Sequence, residues 1–199
     1  VTNLEQSVRE RTNDLSLRTS HLQAAAQVAR QAAAIKDPVE LVNDAVHLIS
    51  DQFGFYHAGI FLLDKNENNA VLLAASSEGG QRMLARGHRL RVGEQGLVGS
   101  AAAQKRPRIA LDTGADAAYF DNPDLPATRS EAALPLIARG KVIGVLDIQS
   151  DNPQAFTQED VEIFQTLADQ LALAIESARL FSELGAIVQQ LEQASLKRT

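Results

Sequence analysis

Apolar residues recur along this chain with two helical periods and one strand period, and each predicts an element. From Leu4, steps of four and three residues read Leu4, Val8, Arg11, Leu15, Arg18, Leu22, Ala25, Ala29 and Ala32, the heptad seam of a coiled coil. One column of the seam is always apolar (Val8, Leu15, Leu22, Ala29). The other carries Arg11 and Arg18, which weakens a tight two-stranded coil but can fix its register. A single amphipathic helix lying on its own domain is the alternative reading of this stretch. Lys36-Asp37-Pro38 breaks the pattern, because proline disfavours helix in the residue before it and suits the first turn of the helix after it. The second helix buries Val39, Leu41, Val42, Ala45, Val46, Leu48, Ile49 and Phe53, and Gly54 stops it.

Nearly continuous apolar runs at 55–63 and 70–75, separated by polar turn residues, predict a β-hairpin whose strands are covered on both faces. Further strands are expected at 89–92, 108–111, 132–138 and 141–149, the last two joined by the tight turn Arg139-Gly140. Gly93-Glu94-Gln95-Gly96-Leu97-Val98-Gly99 leads into a short helix over 100–105, which Pro107 ends. The stretch 113–128, with Pro123 and Pro126, reads as a polar loop with a helical turn around 116–120. Thr157 caps a long final helix, with Asp160 three residues on as an acidic near-match to a capping box. Its late seam of Leu180, Leu184, Ile187, Leu191 and Ala194 leaves the domain as a second coiled-coil segment. Gly185 weakens that segment by roughly 1 kcal/mol and marks a place for a bend.

Composition narrows the function. The 199 residues are 45% hydrophobic and 22% charged, which fits one folded domain with extensions. A net charge of −6 sets the overall field against a nucleic-acid partner. The chain has no cysteine, so it has no disulfide framework, thiolate metal site or thiol nucleophile. No apolar run reaches the length of a spanning helix and no secretory signal pattern opens the chain; the expectation is a soluble, cytoplasmic protein without membrane insertion. Its ragged helical ends suggest excision from a longer sensor, itself anchored in a membrane or not. The histidines His21, His47, His57 and His88 lack metal-ligand spacing, and no catalytic triad, phosphate loop or carboxylate pair stands out.

Five segments, in order, resemble the GAF domain: Gly59-Ile60-Phe61-Leu62-Leu63-Asp64, the glycine-rich run 93–99, Arg129 to Leu136, Val142-Ile143-Gly144-Val145-Leu146-Asp147-Ile148, and Phe156-Thr157-Gln158-Glu159-Asp160. The resemblance implies an α+β fold, a GAF/PAS-like antiparallel sheet of about six strands with helices on both faces and long coiled-coil helices at each end. The expected organisation is a signalling helix over 1–36, the GAF domain over 37–181 and an exit helix over 182–199, in the manner of bacterial histidine kinase or cyclase sensors. It also implies a small-molecule pocket on one sheet face. Carried over, the pocket residues are His57, Gly59 and Phe61 on the first strand, Ser76 and Ser77 after the second, and Leu97 and Val98 at the short helix. Phe120 in the loop, Ser130, Ala132 and Leu134 on one late strand, and Asp147 and Gln149 on the other complete the set.

The departures from the family pattern carry information too. Ser150-Asp151 stands where cyclic-nucleotide-binding relatives carry Asn-Lys, which argues against cyclic nucleotides. Bilin-binding relatives and the methionine-sulfoxide reductases of this fold depend on cysteines, so a covalent pigment and that enzymology are excluded. Some relatives bind haem, for which His57 or His88 would serve, although a lone histidine near a strand is more often a satisfied polar group. The reading is therefore a non-enzymatic sensory module of a two-component or cyclase system, without a bound cofactor. It is a homodimer through its terminal helices and relays an unidentified small molecule's binding to an output domain. A ligand-free dimerisation spacer is the alternative, and a small enzyme the third reading.

Overall fold

The computed structural model describes residues 3–114 and 122–196. Helices α1 (Asn3–Ala33) and α2 (Pro38–Phe53) precede a hairpin of β1 (His57–Leu63) and β2 (Asn69–Ala75). Then come α3 (Glu78–Ala85), β3 (Arg89–Arg91), α4 (Gly96–Gln104) and β4 (Arg108–Ala110), followed by β5 (Ser130–Ala138), β6 (Lys141–Ser150) and α5 (Gln158–Leu196). The strands form one six-stranded antiparallel sheet in the order β3-β2-β1-β6-β5-β4. This is the expected α+β fold, with helices on both faces and long helices at both ends.

Local chemistry explains most boundaries. The Asp37 carboxylate accepts from the N–H groups of Val39 and Glu40 at 2.9 and 2.8 Å, and Gly54, at φ 68°, closes α2 in the left-handed region. Arg139 and Gly140, with φ of 51° and 78°, make the two-residue turn between β5 and β6. At the start of α5, Thr157 Oγ1 accepts from the Asp160 N–H at 3.1 Å, and the Asp160 carboxylate accepts from the Thr157 N–H at 3.2 Å.

The structure also departs from expectation. α4 starts at Gly96, four residues early, and β1 starts at His57 because Phe55 instead joins an aromatic cluster with Phe53, Phe156 and Phe164. α5 runs through Gly185 without interruption. α3 was not anticipated at all. Its two glycines are poor helix formers, yet here they are needed for close packing. A Cβ at Gly79 would lie 2.0 Å from the carbonyl oxygen of Asp124, and one at Gly80 would lie 2.4 Å from the Ala75 side chain. The helical turn expected around 116–120 lies outside the described residues.

Two apolar layers cover the sheet. On one face the second half of α1, α2 and the first half of α5 bury Val28, Val46, Ile49, Phe164, Leu171 and Ile175 against Ile60, Leu134, Leu146 and Ile148. On the other face α3, α4 and the segment after residue 121 bury Met83, Leu97, Val98 and Leu125 against Phe61, Leu72, Ala133 and Val145. Alternation along each strand assigns these faces except at two register shifts. The β1–β2 ladder shifts between Leu72 and Ala74, which puts Ala74 in the helix-side layer and Ala75 in the other. Ile143, expected beside Val145, packs with the helix-side layer, where the β5–β6 register shifts after Leu136.

The terminal helices run parallel. Arg18 pairs with Glu159 at 3.3 Å and His21 with Asp160 at 3.0 Å, while Lys36 lies over the Phe181 ring at 5.8 Å. The first half of α1 therefore extends beyond one end of the domain and the last part of α5 beyond the other, each by about 22 Å at the helical rise. The heptad column holding Arg18, Ala25 and Ala32 turns toward the chain's own domain, so Arg18 has an intramolecular partner. Leu4, Val8, Leu15 and Leu22 face outward instead.

Two glycine replacements test this packing. A Cβ at Gly144 would lie 2.1 Å from the Phe61 carbonyl oxygen, whereas at Gly185 it meets nothing within 4 Å. Gly144→Ala is expected to destabilise by about 1–3 kcal/mol and Gly185→Ala to stabilise by about 0.5–1 kcal/mol. The two urea unfolding midpoints should move in opposite directions.

Candidate functional site

Between the sheet and its α3–α4 cover lies a cavity of about 20 Å³, room for one water-sized occupant. Its floor is Phe61 of β1, Glu131 of β5, and Asp147 and Gln149 of β6. Its walls are Leu90, the α4 start at Gly96, Leu97 and Val98, and Met83 and His88 around the end of α3. Asn122 also lines it.

The polar floor is unusually dry. Glu131 and Gln149 are both 6% exposed and Asp147 is 2% exposed. Glu131 stands directly across the ladder from Gln149, with Asp147 two residues away on the same face. Gln149 Nε2 donates to Asp147 Oδ2 at 2.6 Å, and Thr128 Oγ1 donates to Gln149 Oε1 at 2.6 Å. Glu131 is a further neighbour of the Asp147 carboxyl across the ladder, and two carboxyls side by side in a dry site repel unless one holds a proton. The second oxygen, Asp147 Oδ1, is buried with no partner. Burial raises the Asp147 carboxyl to about 6, against the opposing pull of Gln149 and Glu131.

A segment after residue 121 roofs this floor. Leu125 is buried in the cavity-side layer, and Asn122 Nδ2 donates to Met83 Sδ at 3.3 Å. Arg82 of α3 holds Asp124 at 3.1 Å and Arg86 holds its other carboxylate oxygen, which keeps Asp124 below the usual carboxylate range.

The expected pocket residues divide into three groups. Phe61, Leu97, Val98, Asp147 and Gln149 meet at the cavity. His57, Gly59, Ser76 and Ser77 build its supporting edge. The His57 Nδ1 lies 2.7 Å from Ser77 Oγ, which caps α3 by accepting the Gly80 N–H at 3.0 Å; Ser76 Oγ accepts from the Ala58 N–H at 2.9 Å. His57 Nε2 packs where a Gly59 Cβ would lie, 3.1 Å from it, and has no polar partner. Ala132 and Leu134 lie on the opposite sheet face, in the helix-side layer, because the strand begins at Ser130 and its odd-numbered residues face the cavity. Ser130 Oγ donates to the Asn152 carbonyl at 2.7 Å. Phe120 lies outside the described residues. Sequence reasoning left Met83, Leu90, Gly96, Asn122 and, above all, Glu131 out of the pocket, and named His88 only as a candidate haem ligand. Glu131 shares its face with Ala133, and its pairing with Gln149 of β6 brings it to the cavity.

Comparison with known proteins places this geometry. The sequence model of the GAF domain family matches residues 36–176. GAF domain-containing protein A of Dictyostelium discoideum is 33% identical over 112 residues, which span 56% of this chain and 65% of that relative's length. Among solved structures, the GAF domain of a phosphoenolpyruvate-protein phosphotransferase from Coxiella burnetii superposes with a TM-score of 0.73 at 23% identity, over 83% of this chain and 98% of that one. A free methionine-R-sulfoxide reductase from Neisseria meningitidis, in complex with its substrate, superposes with a TM-score of 0.70 at 23% identity, over 82% and 92%. At that identity the likeness is one of fold.

The reductase overturns one expectation. Catalysis was excluded on sequence, yet the fold is one that free methionine-R-sulfoxide reductases, which are enzymes, also adopt. The exclusion of enzymatic activity therefore does not stand. Among the described residues, no helix is long and apolar enough to cross a membrane.

Two of the buried titratable groups, His57 and Asp147, make opposite contributions to acid stability. His57 holds its proton less tightly in the folded chain, about 4 against 6.5, because burial disfavours the charged ring. Its contribution therefore falls as pH drops from about 6.5 to 4. Asp147 holds its proton more tightly, about 6 against 3.8, so its contribution falls as pH rises over that interval. Asp147→Asn leaves the His57 slope unopposed. The stability difference, variant minus parent, should grow with pH by about 1 kcal/mol per unit between pH 4 and 6, read by chemical denaturation at each pH.

Proposed function

We propose, from the premise that this chain belongs to the GAF domain family, that it is a sensory and regulatory module. In this reading it takes a small ligand into the cavity over Glu131 and Asp147 and passes the event to its terminal helices. The observation that carries the reading is the buried, unpartnered Asp147 Oδ1 facing a roofed cavity. An acceptor left without a donor in a dry site costs roughly 1–3 kcal/mol, and a ligand that supplies the donor recovers it.

The relay follows from strand alternation. Asp147 and Gln149 face the cavity while Leu146 and Ile148, their immediate neighbours, support the helix-side layer on which α5 rests. A ligand shifts such a system only by its difference in affinity between two arrangements, commonly worth about 1–3 kcal/mol. α1 and α5 would then carry the change to opposite ends of the module, with an output domain of kinase or cyclase type beyond α5.

Dimerisation is the second part of the proposal. Leu173, Ser177, Leu180, Leu184, Ile187 and Leu191 repeat at heptad spacing along α5, and the leucines and isoleucine among them are at least 44% exposed. Beside them runs an open groove of about 530 Å³ between Ala26, Ala29 and Ala33 of α1 and Leu173 and Ala174 of α5. We assign both features to the same helices of a second copy. The ligand-free spacer is the competing reading, favoured by the small volume of the cavity.

Two measurements decide. Sedimentation equilibrium should give a dimer at micromolar concentration and a monomer for Leu184→Asp combined with Leu191→Asp; a monomeric parent would contradict the reading. Native mass spectrometry of the freshly purified protein should show a non-covalent adduct that Leu97→Trp abolishes, whereas a bare mass would support the spacer.

A further inference from the structure

We infer that the cavity over Glu131 and Asp147 selects a primary ammonium group, so that the ligand of this module is a small organic amine. The inference builds on the reading of the cavity as a ligand site and names the chemistry it would accept.

The first argument is a count of donors. Asp147 Oδ1 is buried and has no partner. Three side-chain donors around the cavity are engaged elsewhere, Gln149 Nε2 on Asp147 Oδ2, Asn122 Nδ2 on Met83 Sδ, and the Thr128 hydroxyl on Gln149, and His88, which also lines it, does not reach Asp147 Oδ1. No lysine or arginine is among the lining residues. A ligand that pairs with Asp147 Oδ1 must therefore bring a donor of its own, which an ionised carboxylate or phosphate lacks.

The second argument is charge. Asp147 and Glu131 lie on adjacent strands of the same cavity floor, and both are nearly excluded from water. Two adjacent carboxylates ionise together only if a cation sits between them. Binding an alkylammonium would let the proton that one of them holds leave for solvent while the ammonium takes its place, so charge balances.

The third argument separates an ammonium from a metal ion. Calcium requires six to eight oxygen ligands and magnesium a near-octahedral set, but beyond the two carboxyls only Gln149 and Asn122 bring side-chain oxygens, and most of the remaining walls are apolar: Phe61, Met83, Leu90, Leu97 and Val98. An ammonium has three donors and tolerates apolar surroundings for its substituent. The present volume of about 20 Å³ fits the head group alone. Room for a short alkyl tail comes from Met83, whose unbranched thioether re-packs easily.

The test uses n-propylammonium chloride, propan-1-ol, sodium propionate and magnesium chloride, each titrated to tens of millimolar at constant ionic strength while the melting temperature is followed. A four-atom ligand binds no tighter than tens of micromolar at the efficiency ceiling, so this range is needed. The expected result is a saturable rise with the amine only, weakened at least ten-fold by Glu131→Gln and by Asp147→Asn, with Leu97→Trp abolishing it. Circular dichroism identifies which variants remain folded. An equal response to propan-1-ol, or a response to propionate or magnesium that Leu97→Trp removes, overturns the amine assignment and leaves the ligand-site reading standing. No response to any probe, together with a bare native mass, overturns both.

Discussion

The structure turns on one constraint: a carboxyl at the centre of a sheet that is covered on both faces. Asp147 sits on β6, flanked by β1 and β5, with α3 and α4 above it and the helix-side layer beneath. Water is excluded there, and the neighbouring side chains supply too few donors for its oxygens. Such a group is costly in a purely structural core, where an apolar residue of similar size is usually neutral or better. Its placement next to a second buried carboxyl makes a functional use the economical explanation.

The same two strands give that constraint a mechanical reach. Because side chains alternate across β5 and β6, every cavity residue has a neighbour in the helix-side layer. α5 lies on that layer and continues past the domain, while α1 runs parallel to it and projects from the other end. In the proposed relay no separate hinge is needed, since the element that touches the sheet is also the element that leaves the domain. The alanine-rich approach of α1 to α5 keeps the helices close, and the outward heptad column of α5 is left for a partner.

Much of this was legible from residues with local, self-contained physics. Asp37-Pro38, Gly54, Arg139-Gly140 and the Thr157–Asp160 pair act within a few residues of themselves, so their elements begin and end where the chain indicates. What was not legible depends on contacts distant in sequence. α3 is a helix despite Gly79 and Gly80 because the Asp124 carbonyl and the Ala75 side chain press against it. Ala132 and Leu134 were assigned to the cavity in place of Glu131 and Ala133 because strand parity depends on register, which only the ladder with β6 fixes. Arg18, which looked like a flaw in a dimer seam, has its partner in Glu159, 141 residues away in the chain by their numbers. Catalysis was judged on the missing cysteine and on the absence of a triad, a phosphate loop or a carboxylate pair, whereas the fold is also one that enzymes adopt.

Carbon-detected NMR titration of the Asp147 carboxyl tests the central claim most directly. The account predicts a midpoint near 6 in the ligand-free protein, well above the 3.8 of an ordinary aspartate, with a signal absent from Asp147→Asn. A midpoint at or below 3.8 would show a solvated or fully partnered carboxylate, and would contradict the dry, donor-poor floor from which the ligand and relay proposals are built.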